Sequence, residues 1–257
     1  MTALEATRIA SLPEDAYYIP NFINEAEEER LLQKITTVPL PRWTQLSHRR
    51  LQTWPSALSK SNILLASPLP TWLTEPIITP RFEELGIFVD APHGAPNHVL
   101  INEYRPGQGI MPHEDGAAYH PLVATVSLGA PIVLDVYEKQ HRQEGSDSPV
   151  PEQVNDHGDD GQKEQNGTNP RHYRILQEPR SLLITRKRMY TDYLHGITET
   201  DRDENLSAQT VCNWGLLGDR QRYECGSYER EVRMSLTYRD VIKVAKLGNS
   251  GRFLGIR

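Results

Sequence analysis

Two cysteines, Cys212 and Cys225, are too few among 257 residues to staple a fold together, so the chain is expected to stand on a hydrophobic core with both thiols reduced. No apolar run approaches the roughly 18 residues that a membrane span needs. The opening MTALEATRIASLPEDAYYIP also lacks a basic stretch followed by a hydrophobic one. Those absences lead to the expectation of a cytosolic or nuclear protein with no membrane partner. Basic residues are in deficit as well, with 28 Lys and Arg against 34 Asp and Glu for a net charge of −6. Avid, sequence-blind binding of nucleic acid normally leaves a basic footprint, so any such contact must come from a local patch.

What the chain does have is a globular composition, 37% hydrophobic and 24% charged, with 19 prolines that speak for long loops rather than a helical bundle. At this length one sizeable core suffices, and a single catalytic domain with insertions is expected. Residues 139–172 carry four Lys and Arg against seven Asp and Glu and almost no large apolar side chain. Such a segment cannot bury enough surface to offset the entropy of ordering, so it is expected to be a mobile polar insert between two strands. A second loop is expected over 200–231.

The segment 23–38 reads as a helix: Asn24 stands at the N-cap with Glu27 three residues on, and Leu31, Leu32 and Ile35 follow at helical spacing. Pro39 and Pro41 stop it. The following stretch, PRWTQLSHRRLQTWPSALSK, has no clean period and predicts a structured loop or a short hairpin. After a broken helical pattern over 72–88 the composition turns to β. Residues 98–104, 122–128, 132–137, 181–185 and 232–243 are rich in β-branched and aromatic residues, and many alternate apolar with polar. The fold class read from this is mainly β with flanking helices, a sandwich or barrel.

Two features could carry chemistry. The first is His113-x-Asp115, followed about 80 residues later by His195 in the sequence YLHGI. Alternate side chains at a strand end point the same way, so positions 113 and 115 can reach one metal while the third ligand arrives from a distant strand. Two imidazoles and a carboxylate on one face of an iron leave positions open for a bidentate 2-oxo acid and for oxygen. A His-x-Asp with a later His also arises by chance, and His98, His120 and His141 compete for the role. The second feature is Arg233-x5-Arg239 with Ser235 and Thr237 between, all on one face of a strand, and with Asn102 and Tyr104 eleven and nine residues ahead of His113. Arginine offers each carboxylate of a dicarboxylic acid a bidentate fork, and the neutral side chains add hydrogen bonds. A polar strand face turned to water has the same pattern, so only the joint occurrence of the two features decides.

Taken together, Asn102-x-Tyr104, His113-x-Asp115, His195 and Arg233-x5-Arg239 resemble the motif set of the AlkB family of Fe(II)- and 2-oxoglutarate-dependent dioxygenases. The segments WTQLSHRRLQTW, NHVLINEYRPGQGIMPHEDG, VATVSLG, LHGI and RMSLTYR most resemble its sixth-homologue branch, and the likeness runs from about residue 14 to 245 apart from the two loops. The resemblance implies a double-stranded β-helix, or jelly-roll, core. It implies Fe(II) at His113, Asp115 and His195, with 2-oxoglutarate held by Asn102, Tyr104, Arg233 and Arg239 and more weakly by Ser235 and Thr237. It further implies oxidative decarboxylation of 2-oxoglutarate with O2, coupled to hydroxylation of a methyl group. A hydroxymethyl left on nitrogen collapses to formaldehyde.

Residues 40–60 stand where the family carries a nucleotide-recognition lid, with Arg49 and Arg50 as candidates for phosphates and Trp43 and Trp54 for base stacking, or as anchors of the loop itself. One departure from the family is Ala117, two residues after Asp115, where nucleic-acid repair members often have an acidic residue that reaches the base. Alkylated RNA or DNA is the favoured substrate class. The alternatives are a protein side chain, or a catalytically weak nucleic-acid-binding module on the same scaffold.

Overall fold

A computed structural model describes residues 3–13, 15–139 and 171–246. In chain order its strands are β1 (Ala16–Ile19), β2 (Thr44–Gln45), β3 (Arg50–Trp54), β4 (Leu64–Leu65), β5 (His98–Tyr104), β6 (Ile110–His113), β7 (Leu122–Gly129), β8 (Ile132–Glu138), β9 (His172–Gln177), β10 (Leu182–Arg186), β11 (Tyr193–Ile197), β12 (Arg202–Asp203), β13 (Tyr228–Glu229), β14 (Arg233–Arg239) and β15 (Val244–Ala245). They build a seven-stranded sheet in the order β1-β10-β7-β14-β5-β3-β2 and a four-stranded sheet in the order β6-β11-β8-β9. Both are antiparallel throughout. This is the jelly-roll arrangement, with helical segments outside the larger sheet.

The longest helix is α1 (Glu25–Thr36). Its start follows from the sequence: the Asn24 side chain accepts from the Glu27 backbone N–H at 2.9 Å, and the Glu27 carboxylate accepts from the Asn24 N–H at 2.9 Å. This capping box satisfies two of the orphan donors at the helix start. Leu31 and Ile35 then bury the helix face against Val99, Ile101, Val126, Leu128, Met234 and Leu236 of the larger sheet, with Phe82, Phe88 and Ile77 completing that core.

Strand period fixes which residues face the other way. On β14, Met234, Leu236 and Tyr238 enter the helix-side core, so Arg233, Ser235, Thr237 and Arg239 point between the two sheets. On β5, Val99 and Ile101 enter the core, whereas Leu100, Asn102 and Tyr104 point between the sheets. The last long strand is shorter than the expected 232–243. It ends at Arg239 because the buried Asp240 leaves the ladder to accept from His93 Nδ1 and Asn97 Nδ2, each at 2.7 Å.

The stretch after α1 resolves to the hairpin of the two alternatives. β2 and β3 pair, and β3 continues the larger sheet with Arg50 opposite Glu103 and Leu51 opposite Asn102. Residues 200–231 carry more order than the expected loop. Their β12–β13 ribbon and short 3-10 turns enclose Leu206, Val211 and Tyr223, which pack on Val133 and Leu176. The polar insert lies outside the described residues over 140–170. The strands flanking it, β8 and β9, are paired in register from Ile132↔Gln177 to Tyr137↔His172.

Candidate functional site

Between the sheets lies a cavity of about 280 Å3. At one side β6 and β11 run antiparallel with His113 directly opposite His195, their ring centroids 4.5 Å apart. Gly196 makes this pairing possible, because a Cβ there would sit 2.9 Å from the Ile110 carbonyl oxygen and 3.0 Å from the Pro112 nitrogen. Asp115 follows His113 on the way out of β6. One ligand atom from each of His113, Asp115 and His195 lies within 4.8 Å of the others, so among the described residues these three form a group that could hold a metal ion.

The protonation of the group suits a metal. His113 Nδ1 stands 2.9 Å from the Met111 carbonyl, which can only accept, so Nδ1 carries a proton and Nε2 is the ring atom that would face a metal. Burial pulls the His195 pKa down to about 4; Asp115 opposes this, and His113 and Arg239 reinforce it. The ring is therefore neutral near pH 7, which is its ligand form. Asp115 is ion-paired with Arg239, and both side chains are largely buried. The loop after Asp115 is pinned by Tyr190, whose hydroxyl donates to the Gly116 carbonyl at 2.6 Å.

Along the cavity wall, β14 sets Arg233, Ser235, Thr237 and Arg239 in a row, all buried. Across the ladder, Asn102 stands opposite Ser235 and Tyr104 opposite Arg233. Burial raises the Tyr104 pKa, and the guanidinium groups of Arg233, Arg49 and Arg239 act against it. Arg233 Nε and Arg239 Nε are buried with no hydrogen-bond partner among the described residues. A buried donor left unsatisfied is costly, so these atoms mark places where a ligand acceptor fits.

The structure thus brings together the seven residues of the sequence motifs. Of the four hairpin residues it brings one, Arg49, to the cavity, where Nε donates to Asn102 Oδ1 at 3.2 Å. The other three do not line the cavity and pack in or beside the hairpin. Arg50 forks onto both oxygens of Glu103 at 2.8 and 2.5 Å and lies 4.0 Å over the Trp43 ring. Trp54 meets Trp72 edge-on at 5.5 Å and carries the Arg42 guanidinium at 3.8 Å. Of the competing histidines, His98 is buried on β5 and His120 precedes β7, neither in the metal group, while His141 lies outside the described residues.

Sequence reasoning missed Ser127, Gln177 and Tyr190, which touch the site from β7, β9 and the turn before β11. A lone serine, glutamine or tyrosine carries no signal of its own. The apolar side of the cavity, Val123, Leu134, Val136, Leu183, Met189 and Ile197, belongs to the same category.

Comparison with known proteins agrees with this geometry. The model of the 2OG-Fe(II) oxygenase superfamily matches residues 15–239. A zebrafish (Danio rerio) protein named probable RNA/DNA demethylase ALKBH6 is 39% identical over 252 residues, covering 98% of this chain and 95% of that protein. The uncharacterized protein L905 of Acanthamoeba polyphaga mimivirus is 24% identical over 230 residues, covering 88% and 84%. Among solved structures, an oxidoreductase of the 2OG-Fe(II) oxygenase family from Burkholderia pseudomallei superposes with a TM-score of 0.51 over 92% of each chain, and at 12% identity that likeness is one of fold. The chain belongs to the 2OG-Fe(II) oxygenase superfamily and, within it, to the AlkB family on the branch of the sixth homologue.

Proposed function

We propose that this protein is an Fe(II)- and 2-oxoglutarate-dependent dioxygenase that removes alkyl groups from nucleic acid, RNA or DNA. The carrying observation is one cavity in which two imidazoles, that of His195 neutral, and a carboxylate converge while a buried row of arginines presents unsatisfied donors. That donor set fits a divalent iron, and the row fits a dicarboxylic acid. His113, Asp115 and His195 would hold the iron. Arg233, Tyr104, Asn102, Ser235, Thr237 and Arg239 would hold 2-oxoglutarate. Bound iron supplies the activation of O2 that couples cosubstrate decarboxylation to oxidation of an alkyl carbon.

The chain's own part is binding and orientation. Arg239 holds Asp115, and the Met111 carbonyl fixes the His113 tautomer. The apolar wall, buried except for the half-buried Leu134, would limit water at the reacting centre. The balance is an N-methyl group, O2 and 2-oxoglutarate giving N–H, formaldehyde, succinate and CO2. Nucleic acid is favoured as substrate by 39% identity, over nearly the whole chain, to a protein named for RNA/DNA demethylation.

The test measures succinate and formaldehyde with methylated RNA, methylated DNA and methylated peptides in parallel. Formaldehyde release with one of the nucleic acids is expected; release with peptides alone overturns the substrate assignment. His113→Ala, Asp115→Ala and His195→Ala are each expected to lose iron and substrate-free succinate production, whereas His120→Ala keeps both. Full activity in any of the three alanine variants removes that residue from the site.

A further inference from the structure

Buried guanidinium groups elsewhere in this fold face carboxylates. Arg230 forks onto Asp203 at 2.8 Å through both Nε and Nη2, and Arg239 is paired with Asp115. Arg233 is different. It is 3% exposed, and its described partners are neutral: Nη2 donates to Ser127 Oγ at 2.9 Å and to Gln177 Oε1 at 3.1 Å. The Ser127 hydroxyl in turn donates to Gln177 Oε1 at 3.3 Å. Burial pulls the Arg233 pKa down to about 10, with Tyr104 and Tyr228 opposing this and the nearby Arg230 adding to it.

A carboxylate would relieve that cost, and glutamate is the same size as glutamine. Yet positions 127 and 177, which reach Arg233 from the larger and the smaller sheet respectively, carry a hydroxyl and an amide. A guanidinium has only donors, so the amide must turn its oxygen to it. The result is a cation fixed in place by neutral acceptors, with its charge uncompensated and its Nε unsatisfied.

We propose that Gln177, together with Ser127, is a positioning residue that holds Arg233 without neutralising it, and that a neutral side chain at position 177 determines the preference for a dicarboxylic over a monocarboxylic 2-oxo acid. This rests on the reading of Arg233 as a carboxylate clamp. Gln177 acts through the arginine: it sets the direction of the fork and leaves the full charge for the second carboxylate of the ligand. A glutamate at 177 would occupy the guanidinium and repel that carboxylate.

The experiment measures binding calorimetrically, without oxygen, to the Mn(II)-loaded full-length protein, using 2-oxoglutarate and 2-oxopentanoate, which lacks the second carboxylate. Gln177→Glu is expected to weaken 2-oxoglutarate roughly 10- to 100-fold, the loss that matches one charge-assisted hydrogen bond, and to leave 2-oxopentanoate unchanged. Gln177→Met and Ser127→Ala, which remove an acceptor without adding charge, should weaken 2-oxoglutarate several-fold while the preference for the dicarboxylate remains. Thermal melting and Mn(II) affinity report on folding, and should Gln177→Glu not fold, the two neutral variants carry the test. Parental 2-oxoglutarate affinity in Gln177→Glu, or in both neutral variants, overturns the proposal. Arg233→Leu separates it from the reading beneath: unchanged 2-oxoglutarate binding in that variant removes the clamp itself, whereas lost preference in Arg233→Leu with normal binding in Gln177→Glu removes only the role of Gln177.

Discussion

His98 and His195 hold neutral rings for one physical reason at two places in the fold. Each imidazole is buried, and desolvation pulls its pKa to about 4; for His98 the Arg239 guanidinium, its partner across the β5–β14 ladder, adds to the shift. In the unfolded chain both rings titrate near ~6.5. Between those values the unfolded state binds more protons than the folded one, so stability rises with pH there and is lost as pH falls from about 6.5 towards 4. Each ring should remove about 2 kcal/mol by pH ~5. Urea denaturation of the metal-free protein at about pH 7.5 and about pH 5 measures the slope. His98→Gln should keep a smaller slope, since one of the two depressed imidazoles is gone. An unchanged slope in that variant shows that His98 does not titrate on unfolding.

At the scale of elements, the β2–β3 hairpin is held to β5 through Glu103. The Glu103 side chain is on the opposite face of β5 from Asn102 and Tyr104, buried, forked by Arg50 and approached by Arg105 at 3.4 Å. Arg50 and Arg105 are partly exposed and regain water when the pair is broken, so the cost of losing it is below that of a fully buried pair. Glu103→Gln is expected to lower stability by about 1–3 kcal/mol, read by denaturant titration, and to speed proteolysis between residues 40 and 60. Iron affinity should hold, because the proposed metal ligands lie on β6, just beyond its end and on β11. Loss of iron in this variant makes Glu103 part of the site's support rather than the hairpin's. The capping box of α1 was readable because its signal is local, two residues three apart. Residues 200–231 were not, since Leu206, Val211 and Tyr223 have no period and find partners on β8 and β9 only after the chain has folded back.

For the whole molecule, the register between β8 and β9 bears on the insert. The ladder runs to Tyr137↔His172, and the Glu138 N–H donates to the Arg171 carbonyl at 3.0 Å, so the two strands meet at the point where the insert leaves and returns. A short bridge can close such a hairpin with little entropic penalty. Replacing residues 140–169 by a Gly-Ser linker is expected to leave melting temperature and substrate-free succinate production near those of the parent. A misfolded or iron-free product makes the insert an ordered part of the barrel and redraws the domain.

The sequence by itself determined five of the strands, β5, β7, β8, β10 and β14, the first helix and the residue types of both motifs, because period, capping and motif spacing are properties of neighbours along the chain. It also carried the joint pattern that made His113-x-Asp115, His195 and Arg233-x5-Arg239 more than separate coincidences. It left open which side the polar face of β14 meets. Met234, Leu236 and Tyr238 alternating with Arg233, Ser235, Thr237 and Arg239 read equally well as a strand wet on one side. Only the packing of the four-stranded sheet over that face decided the matter, by burying Arg233 and Arg239 to 3% and 7% exposure. The tertiary structure alone also brought Gln177, about fifty residues away from both Ser127 and Arg233, into the same pocket. No periodicity reports such a meeting, since it depends on how two sheets close over each other.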